Sequence, residues 1–379
     1  MARIITFRLV ESGCRSSIHV PASRETHHCY KETKLEIRVD LRSDTVTKPS
    51  PEMRRAMYEA EVGDDVYRDD PTTNRLQEKA AEMLGKEAGL FVASGTQGNL
   101  VAVLAQAQRG DEIILGDMCH IFNSEAGGVS VLGGVVMYPI KTDRRGVLAP
   151  ELIHGAVKPR DYHKPPTKLL CIENTHNNTS GQAVTASDTR MMADAARAHN
   201  LRVHLDGARL FNAAVALGVD VKELTAPVDT ATFCLSKGLS CPIGSVLVGD
   251  KDFIEEAGRW RKILGAGMRQ VGIVAAAGIV ALDSMIERMA EDHDNARKLA
   301  IGLAELKGIA LDPANITTNI VRFGVPSGTG NRIAALLKEE GVYINGGDSD
   351  LRMVTHYGID SEDIDFTLVA IRKVMAQVA

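Results

Sequence analysis

The stretch Thr230-Ala231-Thr232-Phe233-Cys234-Leu235-Ser236-Lys237-Gly238-Leu239 decides how the chain is read. Phe233, Cys234 and Leu235 form an apolar run bounded by Pro227 upstream and by Gly238 and Pro242 downstream, so a short core strand is expected here. Such a strand delivers Lys237 at its end. A lysine after a strand ordinarily swings into solvent along its apolar stem. Held instead in a closed pocket, where burial lowers its pKa, the amine becomes a nucleophile for carbonyl carbons. What surrounds the lysine decides between these readings.

The whole chain sets the frame. Its 379 residues, with 44% apolar and 25% charged side chains and a net charge of -5, are those of an ordinary soluble globular protein with one large and one smaller domain. No basic face with interleaved aromatics is visible, which excludes a nucleic-acid partner, and no apolar run reaches membrane-spanning length. The cysteines at 14, 29, 119, 171, 234 and 241 are scattered, several beside Val, Ile and Leu, as free buried thiols in a reducing, cytoplasmic setting would be. None has zinc-finger spacing, so no catalytic metal is expected.

Residues 1–38 differ from the rest. Arg3, Arg8, Arg15 and Arg24 stand against the single acid Glu11, with Ser12, Ser16 and Ser17 between them. That composition suits an organellar leader, but a disordered tail or an upstream extension of the frame is the expected reading. His27-His28-Cys29 is a weak, adventitious metal set.

Regular structure is expected from Val39-Asp40-Leu41-Arg42-Ser43-Asp44. Asp70-Pro71 caps a helix whose apolar face is Leu76, Ala80, Met83 and Leu84. Strands are then expected at 89–93, 112–115, 135–138, 168–173 and 201–206. The intervening helices include one over 97–108, one running through Glu125 and one capped by Ser187. Strands apolar along their length and separated by helices indicate a mainly parallel sheet covered on both faces. Beyond Gly249 long helices follow, over 251–264, 270–290 and on to Leu306, and then an α+β unit. The expected division is a large α/β domain over 39–285, with an N-terminal arm, and a small C-terminal α+β domain over 286–379, meeting inside a helix.

Ligands of such sheets sit at the carboxyl ends of the strands. There the chain places Ser94-Gly95-Thr96-Gln97-Gly98-Asn99, a strand-to-helix turn whose amides and helix dipole suit an anion. It also places His120, whose imidazole can lie over an aromatic ring or move a proton, with Glu125 available to orient it. Glu173-Asn174-Thr175-His176 follows the 168–173 strand, and Asp206-Gly207-Ala208-Arg209 follows the next. A carboxylate such as Asp206 is what a pyridinium nitrogen requires. An anion cradle, an acid, a ring-stacking imidazole and a lysine together suit pyridoxal phosphate.

On these residues the chain resembles the L-threonine aldolase family, fold-type-I pyridoxal-phosphate enzymes of the β-eliminating lyase and threonine aldolase group. The likeness also rests on Val39 to Thr47, Gly63-Asp64-Asp65-Val66-Tyr67, Glu173 to Asn177, Leu235 to Leu239, Gly267-Met268-Arg269-Gln270 and Val354-Thr355-His356, and runs from about residue 39 onward. The resemblance implies an aspartate aminotransferase-like large domain. Lys237 would bind the cofactor covalently, Asp206 its ring nitrogen, His120 its face, and Gly95 with Thr96 its phosphate, with Arg209 also among the cofactor-binding residues. Ser43, Arg209 and Arg352 would take the substrate carboxylate. It further implies a homotetramer of tight dimers, with Tyr67, Lys262 and Arg269 lent by a neighbouring subunit.

The implied activity is retro-aldol cleavage of L-threonine or L-allo-threonine to glycine and acetaldehyde. An arginine fork fixes the substrate, and His120, His176 or an ordered water takes the β-hydroxyl proton. Rival readings are a β-eliminating lyase acting on another amino acid and a non-catalytic cofactor-binding homologue. A nucleotide-dependent dehydrogenase is disfavoured, because the three-glycine turn and its following acid are missing.

Overall fold

Apolar stretches too continuous for one-sided burial end up as the interior strands of a sheet. The computed structural model describes residues 37–378. The expected N-terminal extension, with Cys14, His27, His28 and Cys29, therefore lies outside the described residues apart from Ile37 and Arg38. The strands are β1 (Val39–Asp40), β2 (Ala88–Val92), β3 (Glu112–Gly116), β4 (Val136–Ile140), β5 (Thr167–Glu173), β6 (Arg202–Asp206), β7 (Thr230–Cys234), β8 (Ser245–Gly249), β9 (Ile320–Gly324), β10 (Val342–Tyr343) and β11 (Asp350–Val354).

A seven-stranded sheet runs in the order β2-β8-β7-β6-β5-β3-β4. Only β8 opposes its neighbours, pairing antiparallel with both β2 and β7. All other neighbours are parallel. Hence β2, β3, β5, β6 and β7 all finish at one edge. Register aligns that edge closely, with Glu173 opposite Asp206 and Asp206 opposite Thr232.

Helices close both faces, as a parallel sheet requires. Helix Gly95–Leu104 is buried along most of its length. Helix Gly272–Ser284 carries a run of small residues, among them Gly272, Ala275, Ala276, Ala277 and Gly278. A Cβ on Gly278 would lie 2.9 Å from Leu76 Cδ2 and 3.1 Å from Leu235 Cδ1, so glycine is what lets this helix settle on the segment leading to Lys237.

A second core gathers Val39 and Leu41 with Leu299, Leu303, Phe323, Ile333, Leu337, Leu351, Met353 and Ile371. There β1 pairs parallel with β10, and β11 pairs antiparallel with β9. The strand preceding Ser43 is thus built into the layer that also holds Arg352.

Three expected helices differ from those observed. The continuous helix over 270–290 is two helices, Gly272–Ser284 and Met289–Ala304. Met285 and Met289 are both buried in the main core, so the apolar spacing continues across the break and hides it. The helix over Ala186–Arg197 is capped by Thr185, whose hydroxyl accepts from Asp188 N, rather than by Ser187. No helix passes through Glu125. Ala126 and Gly127 both have positive φ, separating helix His120–Asn123 from helix Gly128–Gly133.

Asp70 is fully buried and accepts from three backbone amides, those of Gly63, Thr73 and Gly272. It caps helix Pro71–Met83 and pins the start of helix Gly272–Ser284. Asp70→Ala removes the cap and leaves buried amides unpaired, so a loss of about 3 kcal/mol is expected from urea unfolding, each such amide being worth ~1–3 kcal/mol. A loss below about 0.5 kcal/mol would contradict this role.

Candidate active site

The shared edge of the parallel strands brings together most of the residues singled out from the sequence. Lys237 follows β7 and is half-buried, and its carbonyl accepts from Thr47 Oγ1 and from Ser240 N. Its ammonium acts electrostatically on both Asp44 and His120, so those groups lie around it.

Asp206, 2% exposed at the end of β6, accepts from Asn99 Nδ2 at 2.9 Å and from the Ala208 amide at 3.1 Å. Asn99 Nδ2 donates also to Glu125 Oε1 at 2.8 Å. The same Glu125 oxygen is 2.8 Å from His120 Nδ1. This hydrogen bond raises the His120 pKa above its ordinary value, with Asp206 adding to the effect and burial and Lys237 opposing it. Burial raises Glu125 as well, and Asp206 beside it adds to the rise, while its donors oppose it. Glu173 accepts from the backbone amides of His120 (2.6 Å) and Asn177 (2.8 Å), tying the two loops beside the site together.

A second cluster surrounds Asn177. Arg209, 6% exposed, donates through Nε and Nη2 to both oxygens of Asp44 at 2.7 Å. Burial acts to raise the Asp44 carboxyl, but the charge and hydrogen bonds of Arg209 outweigh it and hold the group well below the usual carboxylate range. The remaining Arg209 nitrogen, Nη1, reaches Asn177 Oδ1 at 3.4 Å, and Arg352 Nη1 reaches that oxygen at 3.3 Å. Burial, with Arg209 nearby, lowers Arg352 to about 10. A buried and a half-buried guanidinium meeting on one neutral amide make a receptor for a small anion. Ser43 adjoins them, its hydroxyl capping the turn Asp44–Val46 and lying 3.4 Å from Asp44 Oδ1.

Ser94 caps helix Gly95–Leu104 by accepting from Gln97 N, and the backbone closes tightly there. A Cβ on Gly95 would lie 2.7 Å from Cys234 Sγ, and one on Gly98 2.8 Å from the Thr232 side chain. Among the described residues the buried hydroxyls of Thr232 and Ser245 beside these glycines have no partner. A glycine-lined helix start with orphaned donors beside it matches what a phosphate-bearing group needs.

Other expected residues do not join this hydrogen-bonded cluster. His176 is 2% exposed and lies against Gly146, its Nδ1 without a partner among the described residues. Tyr67 is 73% exposed, Lys262 is exposed, and Arg269 pairs with Asp64. Among the described residues no hydrogen bond links these three to Lys237 or its neighbours.

Sequence reasoning assigned no role to Asp44, Asn99 or Asn177, although all three fall within motifs it used. Nothing local distinguishes their side chains from solvated polar ones. Only the fold shows what each faces.

The sequence profile of the beta-eliminating lyase family matches residues 40–325. The chain belongs to that family. Over 344 residues it is 44% identical to the low-specificity L-threonine aldolase 1 of Arabidopsis thaliana, covering 89% of this chain and 96% of the relative. Over 326 residues it is 45% identical to the low specificity L-threonine aldolase of Escherichia coli K12, covering 86% and 96%. A solved threonine aldolase from Leishmania major shares the fold with a TM-score of 0.76 at 21% identity, covering 89% of this chain and 99% of that one. This beta-eliminating lyase family member therefore has the fold-type-I architecture of pyridoxal-phosphate enzymes.

Buried groups held off their ordinary pKa make stability depend on pH. Burial lowers His204 and His293 from 6.5 to about 4, so between those values the unfolded chain binds protons that the folded chain does not. Stability is present in full above pH 6.5 and is lost as pH falls toward 4. Below about 3.8 the depressed Asp44 carboxyl adds a further loss. Urea midpoints measured from about pH 7.5 down to about pH 2 are expected to fall in these two windows. In Asp44→Asn the lower window flattens, and overall stability drops by about 3–5 kcal/mol because Arg209 is left unpaired.

Proposed function

We propose that this protein is an L-threonine aldolase that cleaves L-threonine and L-allo-threonine to glycine and acetaldehyde, using pyridoxal 5'-phosphate. The observation that carries the reading is the convergence of Lys237, Asp206 and His120 with the Arg209–Arg352 pair at one sheet edge. The chain also covers nearly the whole length of the Arabidopsis thaliana and Escherichia coli aldolases described above.

Pyridoxal phosphate, when bound, supplies an electron sink for the pair left on Cα as the Cα–Cβ bond breaks. Lys237 would hold it through its amine, and Gly95 and Thr96 would bind its phosphate with backbone amides. Asp206, which accepts from Asn99 and the Ala208 amide, would pair with the ring nitrogen, and His120 would lie against the ring. Arg352 and Arg209, with Ser43, would grip the substrate carboxylate and set its rotation. Arg209 brings chiefly Nη1 to this task, since Asp44 engages its Nε and Nη2. Arg352 would therefore supply the larger share of the binding.

The β-hydroxyl proton must leave as acetaldehyde forms, and Cα must later gain one. Of the two imidazoles, His120 is the better equipped. Its Nδ1–H donates to Glu125, which leaves Nε2 as a base of raised pKa. His176 has no carboxylate beside it. Tyr67, Lys262 and Arg269 would serve a neighbouring subunit of a homotetramer, and their exposure together with that of Ile263 supports this.

No helix among the described residues is long and apolar enough to cross a membrane. A cytoplasmic setting is supported by Cys119, Cys171, Cys234 and Cys241, all buried and unpaired.

The purified protein should show visible absorbance that borohydride abolishes. Added L-threonine or L-allo-threonine should yield acetaldehyde, detected with alcohol dehydrogenase and NADH. Absorbance without acetaldehyde from either substrate rejects the aldolase reading. Lys237→Ala should lose both signals, and a borohydride-sensitive band persisting there contradicts the lysine's role.

Arg352→Ala should raise KM for threonine about 10–100-fold, the worth of a charge-assisted hydrogen bond of ~1.5–3 kcal/mol. A similar effect from Arg209→Lys with none from Arg352→Ala would reverse the proposed division. Activity in His120→Asn should fall far more than in His176→Asn, and should lose its acid-side pH limb.

A further inference from the structure

Behind the site a buried polar chain runs from Glu125 and Asp206 through Asn99 to His204 and Thr230. His204 and Asp206 stand two residues apart on β6 and so face the same side of the sheet. Against that side packs helix Gly95–Leu104, carrying Asn99, which is 1% exposed. Asn99 spends both amide hydrogens on carboxylates, Glu125 at 2.8 Å and Asp206 at 2.9 Å. Its oxygen lies 3.1 Å from His204 Nε2. His204 Nδ1 in turn lies 3.0 Å from Thr230 Oγ1, which accepts from Gln106 Nε2 at 3.3 Å.

With full burial keeping the His204 imidazole neutral, its pKa lowered to about 4, one set of donor directions satisfies this chain. With both Asn99 hydrogens on carboxylates, its oxygen must accept, so His204 donates from Nε2 and its Nδ1 accepts from the Thr230 hydroxyl. Turning the Asn99 amide over would set its oxygen against two carboxylates and its NH2 against an N–H.

We infer that Asn99 is the positioning residue that holds Asp206 and the Glu125–His120 pair in one fixed arrangement, and that neutral His204 locks its orientation. The inference rests on the reading of Asp206 and His120 given under Proposed function. Two carboxylates sharing a buried site repel, and one of them ordinarily takes up a proton. A donor placed between them relieves that repulsion, so Glu125 remains a counter-ion for His120 beside Asp206. Facing His120 are Glu125, Asp206 and Lys237, with Glu173 on its backbone amide.

The test uses histidine-ring NMR with carbon-13-labelled protein, both cofactor-free and loaded, with His120→Asn and His204→Gln assigning the signals. In the wild type, His120 should titrate above 6.5 and His204 should stay neutral down to about pH 5. In Asn99→Ala, Glu125 should protonate, and the His120 midpoint should fall by about one unit, the usual worth of one adjacent charge. The loaded variant should lose kcat about 10–100-fold with KM changed less than about 3-fold, as removal of an interaction made in the transition state requires.

Should Asn99→Ala fail to fold, His204→Phe and His204→Gln carry the test. Phenylalanine removes the donor to Asn99 and should lower the His120 midpoint, whereas glutamine keeps an N–H there and should restore it. An unchanged His120 midpoint in Asn99→Ala, or identical behaviour of the Phe and Gln variants, overturns the inference. These NMR readouts do not depend on turnover, so a protein that makes no acetaldehyde but shows the shifts loses the aldolase reading and keeps this one.

Discussion

Buried negative charge at the carboxyl edge of the sheet is the constraint from which the rest of the site follows. Asp206, Glu125, Glu173 and Asp44 are each at most 5% exposed, and an ionised carboxylate in such a place is tolerated only with donors around it. The fold provides those donors from different elements. Asn99 serves Glu125 and Asp206 from a helix, the His120 and Asn177 amides serve Glu173 from two loops, and Arg209 serves Asp44. Each requirement therefore ties a loop to the sheet. The loops are ordered by the carboxylates they satisfy.

Positive charge is arranged by the same logic with the opposite outcome. Arg261 is answered by Asp65, and Arg288 by Asp292, so these buried cations are structural. Among the described residues Arg352 meets only neutral acceptors, Asn177 and the Arg42 carbonyl, while Arg209 stands close enough to depress its pKa. Lys237 likewise forms no salt bridge among the described residues, although Asp44 and His120 feel its charge. Cations left this way cost stability in the resting protein. An amino-acid carboxylate and a carbonyl cofactor are groups that would repay that cost on binding.

Much of the architecture was legible from apolar runs alone. Stretches such as Lys168 to Glu173 are apolar along most of their length, and a strand buried on both faces admits little else. The lysine after Cys234 and the aspartate after Leu205 were conspicuous because a charge closing such a run needs a reason. Helix boundaries were less legible. Met285 and Met289 fill one core from two helices, and a spacing rule sees only continuing burial there. Glu125 sits between two short helices because Ala126 and Gly127 take positive φ, a backbone choice that alanine does not announce.

The amino-acid sequence by itself determined the alternating strand and helix order, the chemistry available at each strand end, and the family to which the chain belongs. Those follow from local pattern, since side-chain spacing and strand-end residues are properties of short segments. The tertiary structure alone decided that Asp44 neutralises Arg209, that Arg352 is the less committed guanidinium, and that Asn99 stands between two carboxylates. Those pairings join residues far apart in the chain, and polar side chains such as Asn99 and Asn177 look the same in sequence whether they face water or each other. Lys237 belongs to both accounts: its place after a core strand was written locally, and the charges around it were assembled by the fold.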